Sequence, residues 1–404
     1  MNKKLNLVIF GMNSYEAWQS GVENRNFQVL EELTKRPEIE KILFLDYLPW
    51  TWKQAAKMLL GIIRSRLRFE HHNHYPAWSG RLKQISEKLL VYTDAGYFLN
   101  RARFYQRLKK IIAQKLGDNY SLWSYYPVDL GYLTELQPEL VIFDLVDNWA
   151  EHPSYQKIKK QLLANYTNLI KQADLVFTVA EHFKNWLGDE PNIYWIPNGV
   201  RTEKFTEPTK LINKDLATIP EPRVIYVGTI QKRIDFELLE YLLAQHPQKS
   251  FIFIGPAWPN YWYWRFFPNN PHRTIVDLQK KYHNLHWLGR KPYPEVPAYL
   301  HQSKVAIVPH ISNEFIQYTD SMKIYEYLAA GLPVVTTPSP NLEQFSNFIH
   351  LAKTAPEFSR ALDQALAENN PVNNLHRQTL TENHHWSKRV EIMIQLIEKK
   401  ITER

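Results

Sequence analysis

The stretch that decides the fold reads DSMKIYEYLAAGLPVV at residues 320–335. It begins with polar residues suited to cap a helix and continues up to Gly331, the residue type that commonly ends one. Leu332 and Pro333 then lead into the β-branched pair Val334–Val335, which favours a strand. A short helix followed directly by a buried strand is a repeating unit of α/β proteins.

The same alternation of apolar runs and helical stretches extends along the whole chain. Continuous apolar runs suit parallel strands that are covered on both faces, so the pattern predicts α/β architecture with two doubly wound Rossmann-like domains. The first set of predicted strands comprises Leu5–Phe10, Lys41–Asp46, Ser121–Tyr125, Leu140–Phe143 and Leu175–Val179. The second set comprises Val224–Val227, Phe251–Ile254, Leu285–Trp287, Val305–Val308 and Val334–Thr336.

The boundary between the two domains is predicted from a proline-rich segment at residues 192–223. We place an N-terminal domain at 1–198 and a second domain at 199–380. Residues 381–404 are expected to form a C-terminal helix that could strap back to the first domain. Its apolar stripe has helical spacing, and a last helix packed on the core also explains it: Val390, Met393, Ile394, Ile397 and Ile401.

Composition narrows the class of protein. The 404 residues include no cysteine, which excludes disulfide frameworks, thiol catalysis and cysteine-bound metal centres. The net charge of +8 permits a phosphate, nucleic-acid or anionic-membrane partner without requiring one. No segment approaches the roughly 20 apolar residues that a membrane span needs, and the start of the chain suits a first buried strand better than a signal peptide. We therefore expect a cytoplasmic protein.

Lys323 and Glu326 are candidate ligand-binding residues near the start of the helix in the opening stretch. They stand three positions apart and so share one helix face. The N–H groups of a helix N-terminus, together with the charge of Lys323, suit a pyrophosphate, and Glu326 could accept hydrogen bonds from ribose hydroxyls. An exposed ion pair between the two side chains fits the same spacing.

Two further clusters follow predicted strands of the second domain. Gly228 and Thr229 end the first of these strands, and Arg233 comes shortly after. Glycine lets the backbone approach a phosphate, which the cation can neutralise. After Leu285–Trp287, the turn that contains Arg290 could border a nucleobase, because doubly wound sheets bind ligands beyond the carboxyl ends of their strands. Lys291 and Tyr293, farther along this turn, equally fit ordinary surface and packing residues.

Together these clusters resemble the C-terminal donor-binding domain of the GT-B glycosyltransferases, above all the bacterial group-1 branch with its teichuronic-acid-type and xanthan-type enzymes. The stretches that carry the resemblance are Ile196–Val200, Val227–Thr229, Leu288–Gly289 and Ser321–Val335. The resemblance implies two domains facing each other across a cleft. It also implies that Glu326 binds the donor ribose and that Lys323, Gly228 and Arg233 meet the diphosphate. The other donor-site residues that we expect are Thr229, Arg290, Ser321 and Met322.

One position departs from many retaining relatives, which carry two glutamates eight positions apart. Here Tyr318 stands eight positions before Glu326, and Glu314 stands twelve before it. The xanthan-type relatives look similar around the Lys-x-x-Glu spacing and are inverting enzymes, so the anomeric outcome stays open. The helix N–H groups with Lys323 and Arg233 could stabilise the departing diphosphate in place of a metal. We therefore expect no required metal and no cofactor besides the donor substrate.

The N-terminal half is expected to bind the acceptor and to supply a general base if the enzyme inverts. Asp147, just beyond the strand Leu140–Phe143, is the leading candidate for the base. Asp144 is the second candidate, and His152 is a further one. A turn or capping role is the alternative for either aspartate.

Gly21 and Glu181 are assigned to the acceptor side. Gly21 stands at the start of a helix predicted from Ser20 and Glu23, which have the spacing of a capping box. Glu181 follows the strand Leu175–Val179 and could equally begin a helix.

Two basic amphipathic segments, Trp52–Arg68 and Arg101–Lys115, fall in the acceptor half. Such segments can lie on an anionic leaflet, and domain helices with solvated basic faces are the alternative. A lipid-linked acceptor would explain their position. The histidines at 71, 72 and 74 lack the partner cluster that a metal site needs. No nucleic-acid motif accompanies the positive charge, so we expect no nucleic-acid partner.

The predicted function is that of a metal-independent glycosyltransferase of hexosyltransferase type. It would move a sugar from a nucleotide sugar to a glycan or lipid-linked acceptor in surface polysaccharide synthesis. We expect it in the cytoplasm, with peripheral contact at the inner face of an anionic membrane. The alternatives are a catalytically inactive homologue that binds glycans or serves as an assembly subunit, a nucleotide-sugar epimerase and a nucleic-acid-binding protein.

Overall fold

A computed structural model describes residues 4–68, 73–188, 190–207, 214–258, 270–313 and 316–404. Glu314 and the histidines at 71 and 72 lie outside these residues. The chain forms two compact units. The first comprises Met1–Ile196 with Val390–Arg404, and the second comprises Pro197–Arg389.

The first unit is built on a nine-stranded sheet. Its strands are β1 Leu5–Phe10, β2 Ile39–Leu45, β3 Asn73–Ala77, β4 Gly80–Gln84, β5 Leu89–Asp94, β6 Ser121–Ser124, β7 Leu140–Leu145, β8 Leu175–Thr178 and β9 Ile193–Trp195. They lie in the order β3-β4-β5-β2-β1-β6-β7-β8-β9. The seven strands from β5 to β9 in this order are mutually parallel, and the antiparallel pair β3–β4 extends the sheet at one edge.

Helices connect these strands and cover the sheet. In chain order they are α1 Tyr15–Gln19, α2 Arg25–Lys35, α3 Trp52–Leu67, α4 Gly96–Leu99, α5 Arg101–Lys115, α6 Gly131–Glu135, α7 Lys159–Gln172 and α8 His182–Leu187. The short 3₁₀ helix Pro153–Ile158 precedes α7.

The second unit is built on a six-stranded, fully parallel sheet. Its strands are β10 Arg223–Val227, β11 Ser250–Ile254, β12 Leu285–Trp287, β13 Val305–Val308, β14 Val334–Thr336 and β15 Ile349–Leu351. The order β12-β11-β10-β13-β14-β15 is the doubly wound Rossmann order, which reverses direction between β10 and β13.

The helices of this unit are α9 Thr202–Phe205, α10 Phe236–Gln245, α11 Pro271–Lys281, α12 Val296–His301, α13 Met322–Ala329, α14 Ala355–Ala367 and α15 Pro371–Thr381. The last helix, α16 Trp386–Thr402, begins in the second unit, and its residues from Val390 onward belong to the first. In α16, Val390, Met393, Ile394 and Ile397 of the predicted apolar stripe are buried.

Burial on both faces explains why apolar runs form these strands. In β10, Val224 and Tyr226 pack into the core on one face of the sheet, whereas Ile225 packs into the core on the other. Successive residues of a strand point to opposite faces, so a strand between two helical layers must be apolar throughout. The α/β fold class with two doubly wound sheets is confirmed.

The capping box predicted at Ser20 and Glu23 is wrong. Ser20 instead ends α1, and its hydroxyl donates to the Ala17 carbonyl (2.7 Å). The next helix, α2, begins four residues later than Gly21, because the Asn24 side chain caps it by accepting the Phe27 N–H (3.1 Å). Asparagine satisfies an unpaired N–H at a helix start as well as serine does.

Within the described chain, the structure contains no helix that is both long and apolar enough to cross a membrane.

Candidate functional site

The strands β10, β11 and β12 each lead into a turn that contains a glycine, and hydrogen bonds join these three turns. Gly228 donates its N–H to the Ile254 carbonyl, and Gly255 donates to the Gly289 carbonyl (both 2.8 Å). Gly228 and Gly255 have φ of +154° and +139°. A Cβ at Gly255 would overlap the Gly228 carbonyl, so only glycine permits this close approach of the two turns. The turns therefore pack closely together beside the point where the strand order reverses.

Lys323, on the first turn of α13, lies directly against Gly228. A Cβ at residue 228 would overlap the Lys323 Cε atom. The ammonium lies 5.8 Å from the ring centre of Tyr226. Among the described residues, no hydrogen bond or ion pair engages this ammonium. The cation is therefore held over the glycine turn without a direct hydrogen bond or ion pair among the described residues.

Electrostatics at this position favours an anion. Burial and the charge of Arg233 lower the pKa of Lys323 to about 8, and only Glu326 acts in the opposite direction. Burial, with the charges of Lys323 and Arg233, also holds the pKa of His310 well below its usual value. His310 is therefore neutral near pH 7, and it lies 3.3 Å from the Tyr226 hydroxyl through Nε2. A bound diphosphate would relieve the repulsion between Lys323 and Arg233.

Glu326, one turn deeper in α13, is buried and accepts a hydrogen bond from the Tyr293 hydroxyl (2.7 Å). No ion pair joins it to Lys323 in the part of the chain that the structure describes, so the alternative of an exposed intrahelical pair is wrong. The Tyr293 ring packs against Phe205. Tyr293 thus holds the carboxylate in one orientation and is more than a packing residue.

Hydrogen bonds at both of its ends fix α13 in place. The Tyr327 hydroxyl accepts the Val227 N–H (2.7 Å), which ties the helix to the end of β10. The Asp320 carboxylate accepts the Asn198 N–H (2.6 Å) and the Tyr325 hydroxyl (3.0 Å). Ser321, which precedes the first turn, has a buried hydroxyl without a hydrogen-bond partner among the described residues. These hydrogen bonds therefore fix the helix start, whereas the buried Ser321 hydroxyl makes none with the described residues.

The other predicted donor-site residues lie around this centre. Thr229 follows Gly228 and is half-buried, as are Met322 at the start of α13 and Arg233 in the loop after β10. Arg290 follows Gly289 and has an exposed side chain. The sheet thus brings residues from four separate stretches of sequence to one edge.

The two candidate bases in the first unit have different environments. Asp144, inside β7, is fully buried and accepts two hydrogen bonds from Arg25 Nε (3.0 and 3.2 Å). Arg25 also donates to the Ile196 carbonyl (3.0 Å). Burial raises the pKa of Asp144 to about 6, although Arg25 acts in the opposite direction. This enclosed ion pair favours a structural role for Asp144.

Asp147 lies beyond the end of β7 and is half-buried. Its carbonyl accepts the Trp149 N–H (3.0 Å) and the Tyr166 hydroxyl (3.4 Å), which fix the backbone of the turn. Of the two aspartates, Asp147 alone has a side chain that solvent reaches.

The acceptor-side residues Glu181 and Gly21 lie in short connections. Glu181 is exposed and immediately precedes α8, which is the helix-start position that the sequence left open. Gly21 has a φ of +87° and donates its N–H to the Trp18 carbonyl (2.9 Å), so it completes the turn after α1.

An aromatic group next to Asp147 was not predicted from the sequence. It consists of Trp50, Trp149, His152 and Tyr155, and all four rings are half-buried. Tyr155 contacts each of the other three, with ring centres 5.7–5.8 Å apart. Trp50 follows β2 and Trp149 follows β7, so the group lies beyond the carboxyl ends of the first sheet. The only advance signal was the high aromatic content, 13 Trp and 23 Tyr.

Among the described residues, no group of three or more metal-ligating side chains could hold a metal ion. The absence of a metal requirement stays a prediction.

Comparison with protein families gives a match over part of the chain. Residues 233–395 match the family model described as "Glycosyl transferase-like". The chain is also 24% identical over 265 residues to the putative teichuronic acid biosynthesis glycosyltransferase TuaH of Bacillus subtilis. This match covers 62% of the chain and 63% of TuaH, less than two thirds of the length of that relative.

Solved structures resemble the whole chain. Sucrose-phosphate synthase from Thermosynechococcus elongatus superposes with a TM-score of 0.70 at 16% identity, covering 99% of this chain and 100% of the other. HepE from Anabaena, solved in complex with UDP, gives 0.66 at 12% identity over 98% and 100%. An α,α-trehalose-phosphate synthase from Burkholderia vietnamiensis gives 0.66 at 12% identity over 98% and 99%. The fold is that of the GT-B enzymes, which confirms the resemblance inferred from the sequence.

Proposed function

We propose that this protein is a glycosyltransferase that moves a sugar from a nucleoside-diphosphate donor to a glycan or lipid-linked acceptor in surface polysaccharide synthesis. The observation that carries the proposal is the Lys323 ammonium, which lies over the Gly228 turn and one helical turn from the buried Glu326 carboxylate. A cation and a carboxylate at this spacing match the diphosphate and the ribose of a nucleotide.

The charged groups of the site suit the departure of the nucleoside diphosphate during sugar transfer. As the glycosidic bond to the donor breaks, negative charge develops on the departing diphosphate. Lys323, Arg233 and the first N–H groups of α13 would stabilise that charge. Glu326 and Tyr293 would hold the ribose and so fix the diphosphate against Lys323.

On the acceptor side, Asp147 is proposed as the general base of an inverting transfer. A base must touch the hydroxyl that it deprotonates, and Asp147 is within reach of solvent, whereas Asp144 is enclosed with Arg25. The aromatic group supports a saccharide acceptor, because amphipathic rings offer an apolar face to a sugar ring and keep a polar edge for its hydroxyls.

The comparisons support a nucleotide-sugar donor and a role in polysaccharide synthesis, but they do not identify the nucleotide of the donor. TuaH is named for teichuronic acid biosynthesis, and HepE was solved with UDP and glucose. We take UDP as the first nucleotide to test. A cytoplasmic location, peripheral contact with an anionic membrane and a metal-independent reaction belong to this proposal as well.

Titration calorimetry of the purified full-length chain with UDP, GDP, ADP and dTDP tests the donor site. One of these should bind tightly, and the matching nucleotide sugar should release its nucleoside diphosphate when an acceptor extract is added. Binding without turnover would favour an inactive homologue, and conversion of the donor without acceptor would favour an epimerase. Failure of all four nucleotides, with salt-dependent binding of oligonucleotides, would favour a nucleic-acid-binding protein.

We expect Glu326→Ala to weaken binding of the cognate nucleoside diphosphate by about 1.5–3 kcal/mol, the range for a hydrogen bond to a charged group. Lys323→Ala should weaken it as well, through the diphosphate. Tyr293→Phe keeps the ring and removes only the hydroxyl that orients Glu326, so its loss should be smaller. Calorimetry on the variants gives all three values, with the exposed Glu295→Ala as a control that keeps full affinity. Unchanged affinity in Glu326→Ala and Lys323→Ala would remove the donor-site assignment.

The nucleotide affinity should fall as pH rises through 8. The Lys323 ammonium, with its pKa lowered to about 8, is charged below that pH and neutral above it, and a bound diphosphate favours the charged form. Because only about a tenth of the free protein carries this charge at pH 9, affinity should drop about tenfold relative to pH 7. Binding near pH 8 should also take up about half a proton, measurable by calorimetry in buffers of different ionisation enthalpy. Lys323→Ala should abolish the proton uptake; its persistence there would assign it to another group.

A further inference from the structure

Helix α3 of the first unit exposes several large apolar side chains to solvent. Its inner face packs Met58 and Ile62 into a small core with Ala95. On its outer side, Trp52 is 66% exposed, Leu60 54%, Ile63 43% and Leu67 72%. Soluble proteins seldom expose several large apolar side chains along one helix without a binding partner.

Positive charge borders this apolar stripe. At 3.6 residues per turn, the exposed apolar residues fall along one line, and Lys53, Lys57, Arg64 and Arg68 fall along the line beside it. Residues 52–68 contain no acidic residue. Among the described residues, none of these four cations forms an ion pair. The outer face of α3 is therefore half apolar and half basic, which the sequence pattern alone could not distinguish from a buried apolar face.

Two neighbouring segments add further exposed apolar groups. Trp78, 60% exposed, lies in the turn between β3 and β4, and Arg66 links this turn to α3 by donating to the Ala77 carbonyl (3.1 Å). On the other side of the turn, the Ser79 carbonyl accepts the Ala95 N–H (2.9 Å) at the start of α4, where Phe98 and Leu99 are exposed. The turn thus lies between α3 and α4 and is hydrogen-bonded to both segments.

We propose that this surface, termed the α3 surface and made of the outer face of α3, Trp78, Phe98 and Leu99, docks on an anionic lipid bilayer. Apolar side chains enter the boundary between headgroups and acyl chains, while the adjacent cations meet lipid phosphates. Charge complementarity selects this occupant. A second copy of the chain would bring four unpaired cations against four more, and a nucleic acid would leave the apolar stripe without a partner. The inference rests on the proposed function in one respect, since a lipid-linked acceptor resides in such a bilayer.

Cosedimentation of the full-length chain with vesicles tests the surface. The protein should pellet with vesicles of phosphatidylcholine and 30% phosphatidylglycerol at low salt and stay in solution with phosphatidylcholine alone. The triple variant Lys57→Gln, Arg64→Gln, Arg68→Gln should lose about a hundredfold in partition, from about fivefold per cation near an anionic surface. The variant Leu67→Ser with Trp78→Ser should also lose at least tenfold.

The matched control is Val372→Ser with Leu375→Ser, which removes two equally exposed apolar side chains from α15 and should leave vesicle binding unchanged. Nucleoside-diphosphate affinity, measured in parallel, should be the same in all these variants. A wild type that stays in solution with anionic vesicles while still binding its nucleotide overturns the membrane inference alone. Concentration-dependent self-association that Leu67→Ser with Trp78→Ser abolishes, without vesicle binding, would instead identify an interface between copies.

Discussion

Asp147→Asn should reduce turnover by about 10²–10⁴-fold if transfer inverts, with the affinity for the donor nucleotide unchanged. The substitution keeps the shape of the side chain and removes its capacity to accept a proton, which is the contribution of a general base. Asp147 follows β7 in the first unit, whereas the proposed nucleotide-binding cluster belongs to the second, so donor binding should not depend on it. Single-turnover kinetics, with the product anomer assigned by NMR, measures the effect.

A matched control for this experiment is Asp118→Asn, which neutralises an exposed carboxylate of the first unit that has no assigned role in the site. It should retain turnover within a small factor. Near-normal turnover in Asp147→Asn, or a product with retained anomeric configuration, would refute the base assignment and leave the donor site unaffected.

Asp144→Ala should lower the free energy of unfolding by about 3–5 kcal/mol, because it leaves the buried Arg25 guanidinium without its counter-charge. The double variant Asp144→Leu with Arg25→Met removes both charges and should be less destabilised than the single one. Urea unfolding measures both values. Glu135→Gln, which breaks the exposed pair with Lys109, is the control and should cost at most about 1 kcal/mol. A loss below 1 kcal/mol in Asp144→Ala would show that the buried pair is not structural.

The sequence predicted most of the strands that are buried on both faces and also the edge strand β12, but it missed β3, β4, β9, β15 and the fully buried β5. Strands such as β1 and β10 are continuous apolar runs, because helices cover both of their sides, and their signal is strong. The missed strand β3 reads NHYPA, and its residues are only partly buried, so neither apolar content nor alternation marks it. Strands β9 and β15 have three residues each and expose their last residue, which leaves only a short apolar signal.

In the candidate site, too, the sequence predicted the residues that a local pattern relates and missed the contacts between distant residues. Lys323 and Glu326 could be recognised because three positions on one helix determine their relation. The hydrogen bond from Tyr293 to Glu326 joins residues 33 positions apart, and the pair of Arg25 with Asp144 joins residues 119 apart. Such contacts depend on how strands and helices pack across the sheet, which no local pattern encodes. Burial likewise distinguishes Asp144 from Asp147, although both follow the same apolar run.

The edge strands β3, β9, β12 and β15 limit the pairing of the sheets of one molecule with those of another copy. An uncovered edge strand offers a row of N–H and C=O groups to any passing strand. In the described chain, β9, β12 and β15 each span three residues, so they offer only a short row of such groups. The longer strand β3 contains Pro76, which has no N–H to donate. None of these described edge strands is a long, regular template. We therefore expect little fibre growth by strand addition, even at high protein concentration.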